Sequence, residues 1–135
     1  MNEITYPAVE EEIYVPDTSV VIEGAVSKLI EDGIIKGKVI VHRAVISELE
    51  NQANQGKAVG FAGLEEIKRL RELASKGKIR LEIAGERPKP SEIRMAWTGA
   101  IDALIRELAW EYDATLITGD RVQAEVARAL GIKVI

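Results

Sequence analysis

Short, mainly apolar runs alternate along this chain with segments of helical periodicity, and no other feature constrains the fold as tightly. Ile13-Tyr14-Val15, Val39-Ile40-Val41, Thr115-Leu116-Ile117-Thr118 and Lys133-Val134-Ile135 read as strands. Successive side chains of a strand point to opposite faces, so a run with no polar alternation is buried on both. Helices are expected between them, over about Val20–Ile35, Ala44–Gln55, Leu64–Ser75 and Val122–Leu130. Another carries Ile101, Leu104, Ile105, Leu108 and Tyr112 at helical spacing. Ser91–Trp97 suggests a short helix, and Gly60 to Gly63 a tight connection around Phe61. Ile79–Ile83 alternates, as at a sheet edge. Strands joined by helices call for a parallel sheet covered on both sides, a three-layer α/β/α fold.

At 135 residues the chain suits one domain with one core. Residues 1–12, acidic and interrupted by Pro7, read as an N-terminal arm, and 13–135 as the single domain. No apolar run approaches the ~20 residues that span a membrane, and the N-terminus lacks a signal-peptide pattern. There is no cysteine and one histidine, His42, which excludes disulfides, thiolate chemistry and multi-His metal sites. A cytoplasmic setting is expected. Trp97 and Trp110 read as packing residues rather than base-stacking platforms.

The net charge of −4 hides an asymmetry. Residues 57–94 carry 10 Lys/Arg against 6 Asp/Glu, while the segments on either side are acidic. This offers a basic surface, or only a solvated helix with ordinary ion pairs. The apolar residues Leu64, Ile67, Leu70, Leu73 and Ala74 spread over a wide arc, which suits deep packing or a dimer interface.

The candidate chemistry lies in four carboxylates. Asp17 and Asp120 each follow an apolar strand, and parallel strands end at one edge, where open α/β sheets hold ligands. Glu48 and Asp102 fall in the early turns of helices that can start from that edge. Each also has a structural explanation: Asp17 as a helix cap, Asp120 with Gln123 as a capping box, Asp102 at a helix dipole, Glu48 as a surface acid. Clustered carboxylates repel unless a cation neutralises them, and oxygen-only donors suit Mg²⁺ or Mn²⁺. That donor set fits metal-assisted phosphodiester hydrolysis.

Pro16-Asp17-Thr18-Ser19-Val20, Val45-Ile46-Ser47-Glu48-Leu49, Ile101-Asp102-Ala103-Leu104-Ile105 and Ile117-Thr118-Gly119-Asp120-Arg121 resemble, in order and spacing, the PIN-domain nucleases. The resemblance runs over essentially the whole chain. Residues 49–66 are most similar to PIN modules of larger archaeal proteins that also carry ATPase and RNA-binding domains. It implies a five-stranded parallel sheet of order 3-2-1-4-5. It also implies an acidic Mg²⁺ or Mn²⁺ set of Asp17, Glu48, Asp102 and Asp120, supported by Thr118 and Ser19. The implied activity is an endoribonuclease on single-stranded RNA that leaves a 5′ phosphate. Lys57, Arg69, Arg71, Lys78, Arg80, Arg87 and Lys89 are the candidates to hold RNA phosphates. A homodimer and further domains of a longer native chain are expected. Some family members have another acid after the fourth motif, where this chain has Val122 and Gln123.

Two other readings belong beside it: a non-catalytic RNA-binding or interaction module, and a toxin-type ribonuclease regulated by an antitoxin. A phosphatase of haloacid-dehalogenase type needs a second Asp two residues after Asp17, where Ser19 stands. A dinucleotide site needs a Gly-rich turn after the first strand, which is absent.

Overall fold

The computed structural model describes residues 11–135, so the expected arm lies outside the described residues except for Glu11 and Glu12. Five strands form one parallel sheet: β1 (Ile13–Pro16), β2 (Lys38–His42), β3 (Arg80–Ala84), β4 (Thr115–Ile117) and β5 (Lys133–Val134). Their order is β3-β2-β1-β4-β5, with helices on both sides, as expected. Val15, Val39, Ile40, Val41 and Leu116 have no exposed surface, so the central strands β1, β2 and β4 are covered on both faces, whereas β5 at one edge is exposed at Lys133 and only partly buried at Val134. β3 lies at an edge and is only partly buried along most of its length.

The order reverses at β1, whose neighbours are β2 and β4. Pro16 stands opposite Ile117, and Asp17 N donates to Ile117 O at 2.9 Å. The ends of these central strands are therefore locked side by side, which makes this edge the topological switch point.

The helix expected over Val20–Ile35 is instead two short ones, α1 (Thr18–Ile22) and α2 (Ala25–Glu31). Gly24 breaks them with φ of +72°, a left-handed conformation that costs glycine little. The fully buried Glu66 holds the break: it accepts from Ser27 N at 2.9 Å, Ser27 Oγ at 2.7 Å and Arg69 Nε at 2.9 Å. Glu66 thereby satisfies donors in the first turn of α2 from another helix.

A second correction concerns Gly60 to Gly63. They are not a connection but part of α4, which runs unbroken over Ala58–Ser75. A Cβ at Gly60 would stand 2.7 Å from Leu49 O, and one at Gly63 would overlap the Leu49 side chain. Leu49 belongs to α3 (Arg43–Asn54). The two glycines let α3 and α4 approach closely, and that packing offsets their weak helix propensity.

The wide apolar arc is also used within the chain. α4 packs against α1, α2 and α3, burying Ile67 and Leu70. Leu64, Leu73 and Ala74 are partly buried, and Val59 and Phe61 are exposed near the start of α4.

The segment before β4 forms α5 (Pro90–Arg94), a 3-10 turn (Ala96–Thr98) and α6 (Ala100–Glu111). Trp97 and Trp110 do not pack in the core: they are 82% and 70% exposed. The last helix, α7 (Arg121–Ala129), precedes β5. No helix among the described residues is long and apolar enough to cross a membrane.

Candidate metal centre

Asp17 follows β1 directly and caps α1. Its Oδ1 accepts from Thr18 N at 2.9 Å and its Oδ2 from Thr118 Oγ1 at 2.8 Å. Thr118 also accepts from Asp120 N at 3.0 Å, so one hydroxyl ties the residues after β1 and β4 together. Asp120 is exposed and caps α7, its Oδ1 accepting from Gln123 N at 2.9 Å. Its capping role and its place at the edge coexist, because one oxygen serves the cap.

Asp102 stands in the first turn of α6 and Glu48 in the second turn of α3. Their electrostatics join them to Asp17. Burial, foremost, pushes Asp17 up to about 6, and the charges of Asp102 and Asp120 add to it. The bonds from Thr118 and Thr18 N offset part of the rise. Asp102 is raised by burial and then by Asp120, while hydrogen bonding with the Asp17 carboxyl and the charge of the Arg106 guanidinium pull it back. Glu48 is raised by burial, with smaller contributions from Asp102 and Asp17. The nearby Thr18 hydroxyl offsets part of this, although it makes no hydrogen bond of normal geometry.

Four acids from four elements thus feel one another at the switch point. Among the described residues, no three or more carboxylates or histidines stand close enough together to hold a metal ion between them. The donor set nevertheless fits a hard divalent cation. Its groups are all oxygens, Asp17 is nearly inaccessible to water, and the hydroxyls of Thr18 and Ser19 are buried without a partner. Mg²⁺ commonly binds through one or two carboxylates, several waters and substrate phosphate, with no complete protein cage.

The seven candidate cations do not form one surface. Lys78 and Arg80 sit at the N-terminal end of β3, at the opposite edge of the parallel sheet from Asp17, and Arg80 pairs with Glu11 at 2.9 Å. Arg69 is engaged by Glu66 at 2.9 Å. Lys57 and Arg71 are exposed, Lys57 at the cap of α4 and Arg71 within it. Arg87 and Lys89 are exposed and follow the C-terminal end of β3, on the edge that holds the acids. His42 is buried and caps α3, its Nδ1 accepting from Ala44 N at 2.8 Å.

Arg106 has no place among the motifs, and the side chain of Gln123, expected to complete a capping box with Asp120, turns instead to α6. Gln123 is buried; its Nε2 donates to Asp102 O at 3.1 Å and its Oε1 accepts from Arg106 Nη1 at 2.5 Å. Where some family members have an acid, this chain has an amide that fastens α7 to α6. Arg106 carries a signal in the sequence, since it stands four residues after Asp102 on one helix face.

A parallel sheet with carboxylates at its switch point defines a class of acid-lined α/β domain. The chain belongs to the PIN domain family, whose model matches residues 14–129. Members of this family are generally nucleases and typically use divalent metals.

Among curated proteins, it is 47% identical over 118 residues to an uncharacterised KH and PIN-domain containing protein of Methanocaldococcus jannaschii, covering 87% of this chain and 18% of that protein. It is 27% identical over 120 residues to the Holliday junction branch migration ATPase PINA of Sulfolobus acidocaldarius, covering 89% and 22%. It is 31% identical over 121 residues to an uncharacterised PIN and TRAM-domain containing protein of Thermus thermophilus, covering 87% and 32%. The chain spans less than a third of the length of each of these relatives. A solved domain of a functionally unknown protein from M. jannaschii superposes with a TM-score of 0.85 at 44% identity, covering 92% of this chain and 89% of that one.

Proposed function

We propose that this domain is a Mg²⁺- or Mn²⁺-dependent endoribonuclease that hydrolyses single-stranded RNA at the carboxylates of Asp17, Glu48, Asp102 and Asp120. The observation that carries this reading is the electrostatic coupling of acids from separate elements at one sheet edge, with Asp17 pushed up to about 6. Such an arrangement costs the metal-free fold stability, and a divalent ion relieves the repulsion.

A divalent ion held there supplies Lewis acidity at a phosphate oxygen and a lowered pKa for water. The chain's own groups prepare the site. Thr118 and Thr18 N orient Asp17 and favour its ionised form. Arg106 favours the ionised form of Asp102. Hydrolysis breaks the bond from phosphorus to the 3′ oxygen, with water supplying the new oxygen, and leaves a 5′ phosphate and a 3′ hydroxyl. Arg87 and Lys89 are the cations suited to the substrate backbone on this edge.

KH modules clamp single-stranded RNA, so a PIN domain joined to one, as in the M. jannaschii relative, suits an RNA-processing or quality-control role in the cytoplasm. The relative named as a Holliday junction branch migration ATPase favours a second reading, DNA rather than RNA as substrate.

The test is end-labelled single-stranded RNA, and DNA of matched sequence, incubated with the protein in Mn²⁺, in Mg²⁺ and in EDTA. Asp102→Asn should lose at least about 100-fold in rate. Equal cutting by wild type and Asp102→Asn, or none by either at any metal concentration, overturns the enzyme and leaves a binding module. Cutting of DNA alone replaces the substrate.

A further inference from the structure

Trp97 is the most exposed large apolar side chain among the described residues, at 82%. It lies on the 3-10 turn immediately before α6, the helix that carries Asp102. Beside it opens a groove of about 360 Å³, lined by Trp97, Asp102, Arg106, Asp120, Val122 and Gln123, among others. Val122 is itself 72% exposed and gives the groove a second apolar surface. The floor is fixed, because Gln123 bonds both the Asp102 carbonyl and Arg106. An indole and a valine thus stand in water beside the carboxylates assigned to the chemistry.

The groove itself selects the occupant. Its volume lies near the lower end of small-ligand sites, ~300–1,000 Å³, and suits one nucleoside-sized group rather than a folded segment. Asp102 and Asp120, assigned to the ion and the phosphate, share the groove with the exposed Trp97 and Val122, whose apolar surfaces suit a neutral planar ring that stacks on an indole. A base in the groove brings its own phosphate beside the two acids. A protein seated there would cover Asp102 and Asp120.

We propose that Trp97 is the stacking platform for a base flanking the scissile phosphate and so restricts the site to unpaired strands, since a base inside a duplex has no free face. This rests on the reading of the carboxylates as a phosphodiesterase site. RNA and single-stranded DNA share the recognised chemistry.

The test is a stacking cycle. A fluorescein-labelled octameric oligouridylate is bound in Ca²⁺, its integrity checked after each titration, with a matched deoxy-oligonucleotide beside it. A second series carries one abasic residue, moved along the strand. Base–aromatic stacking contributes the equivalent of roughly 5- to 150-fold in affinity. Trp97→Ala should weaken the intact strand within that range, and Trp97→Phe should recover most of the loss. One abasic position should cost the wild type as much as Trp97→Ala does, with little further loss when the two are combined.

Unchanged affinity in Trp97→Ala, or losses that simply multiply, overturns the platform. A change of oligomeric state in Trp97→Ala by sedimentation velocity, with RNA affinity unchanged, shows a protein interface instead and also overturns it. Trp97→Ala should retain the wild-type melting temperature and its Mn²⁺-induced rise. Loss of either with Trp97→Phe equally affected makes Trp97 a structural residue and overturns it. If the cycle holds and wild type cuts nothing, the nuclease reading fails alone. If wild type cuts RNA and the cycle fails, the platform fails alone.

Discussion

Asp17→Asn should make the metal-free protein more stable while removing its response to metal. Burial, with the charges of Asp102 and Asp120, lifts Asp17 from 3.8 to about 6. A shift of that size corresponds to about 3 kcal/mol between the two protonation states. The folded pKa lies above the unfolded one, so the folded state holds the extra proton between pH ~4 and ~6. Stability therefore falls as pH rises through that window, and at pH 7.5 the full cost is present. Asparagine keeps the shape and cannot ionise, but it weakens the bonds now donated by Thr118 Oγ1 and Thr18 N. A net gain of about 1–2 kcal/mol at pH 7.5 remains, or roughly 4–8 °C for a domain of this size. Near pH 4 the two proteins should melt within about 2 °C of each other, because wild-type Asp17 is then largely protonated. With Mn²⁺ at 100 times its Kd, wild type should gain about 2.7 kcal/mol and the variant much less. The assay is differential scanning calorimetry of both proteins in EDTA and in Mn²⁺ at the two pH values. A variant no more stable than wild type at pH 7.5, or an advantage of the same size at both pH values, refutes the electrostatic account. A full Mn²⁺ shift in Asp17→Asn refutes the metal assignment.

Three further outcomes are expected. At subsaturating Mn²⁺, cleavage should fall as pH drops below about 6, where metal-free Asp17 takes up its proton and opposes metal binding, and Thr118→Val should move this acid limb upward because the lost hydroxyl favoured the ionised form; a pH profile of kcat/KM in both proteins at limiting Mn²⁺ decides it. Gly60→Ala should destabilise by about 2 kcal/mol despite a better helix propensity, because its Cβ meets α3 backbone at Leu49 and Ala53; urea unfolding showing a gain would mean that α3 and α4 can separate freely. Glu66→Ala should cost about 3 kcal/mol, since it leaves Ser27 N and its hydroxyl without their buried acceptor, and a loss below about 1 kcal/mol by the same measurement would show that water replaces the carboxylate.

The sequence by itself determined the class of fold and the edge on which its acids lie. Val39-Ile40-Val41 and Thr115-Leu116-Ile117 carry no polar alternation, and such strands are stable only with helices over both faces. In a parallel sheet, Asp17 and Asp120 must then emerge together, because each follows a strand. Only the tertiary structure decided how the helices meet. Gly60 and Gly63 read as breakers because local propensity is all that a sequence window holds, yet they lie inside α4, against Leu49 and Ala53. The break at Gly24 lay within an apolar pattern that ran on to Ile35, and the carboxylate that satisfies it comes from Glu66, 39 residues beyond Ser27. Trp97 looked like core because a large apolar side chain usually is, and the turn before α6 holds it in solvent. Lys78 and Arg80 belong to the basic segment by count but stand at the far edge, since charge along a chain carries no information about the direction of a strand. Side-chain chemistry and period are local and survive in the sequence; close approach, exposure and the desolvation that raises Asp17 depend on which distant segments pack beside each group.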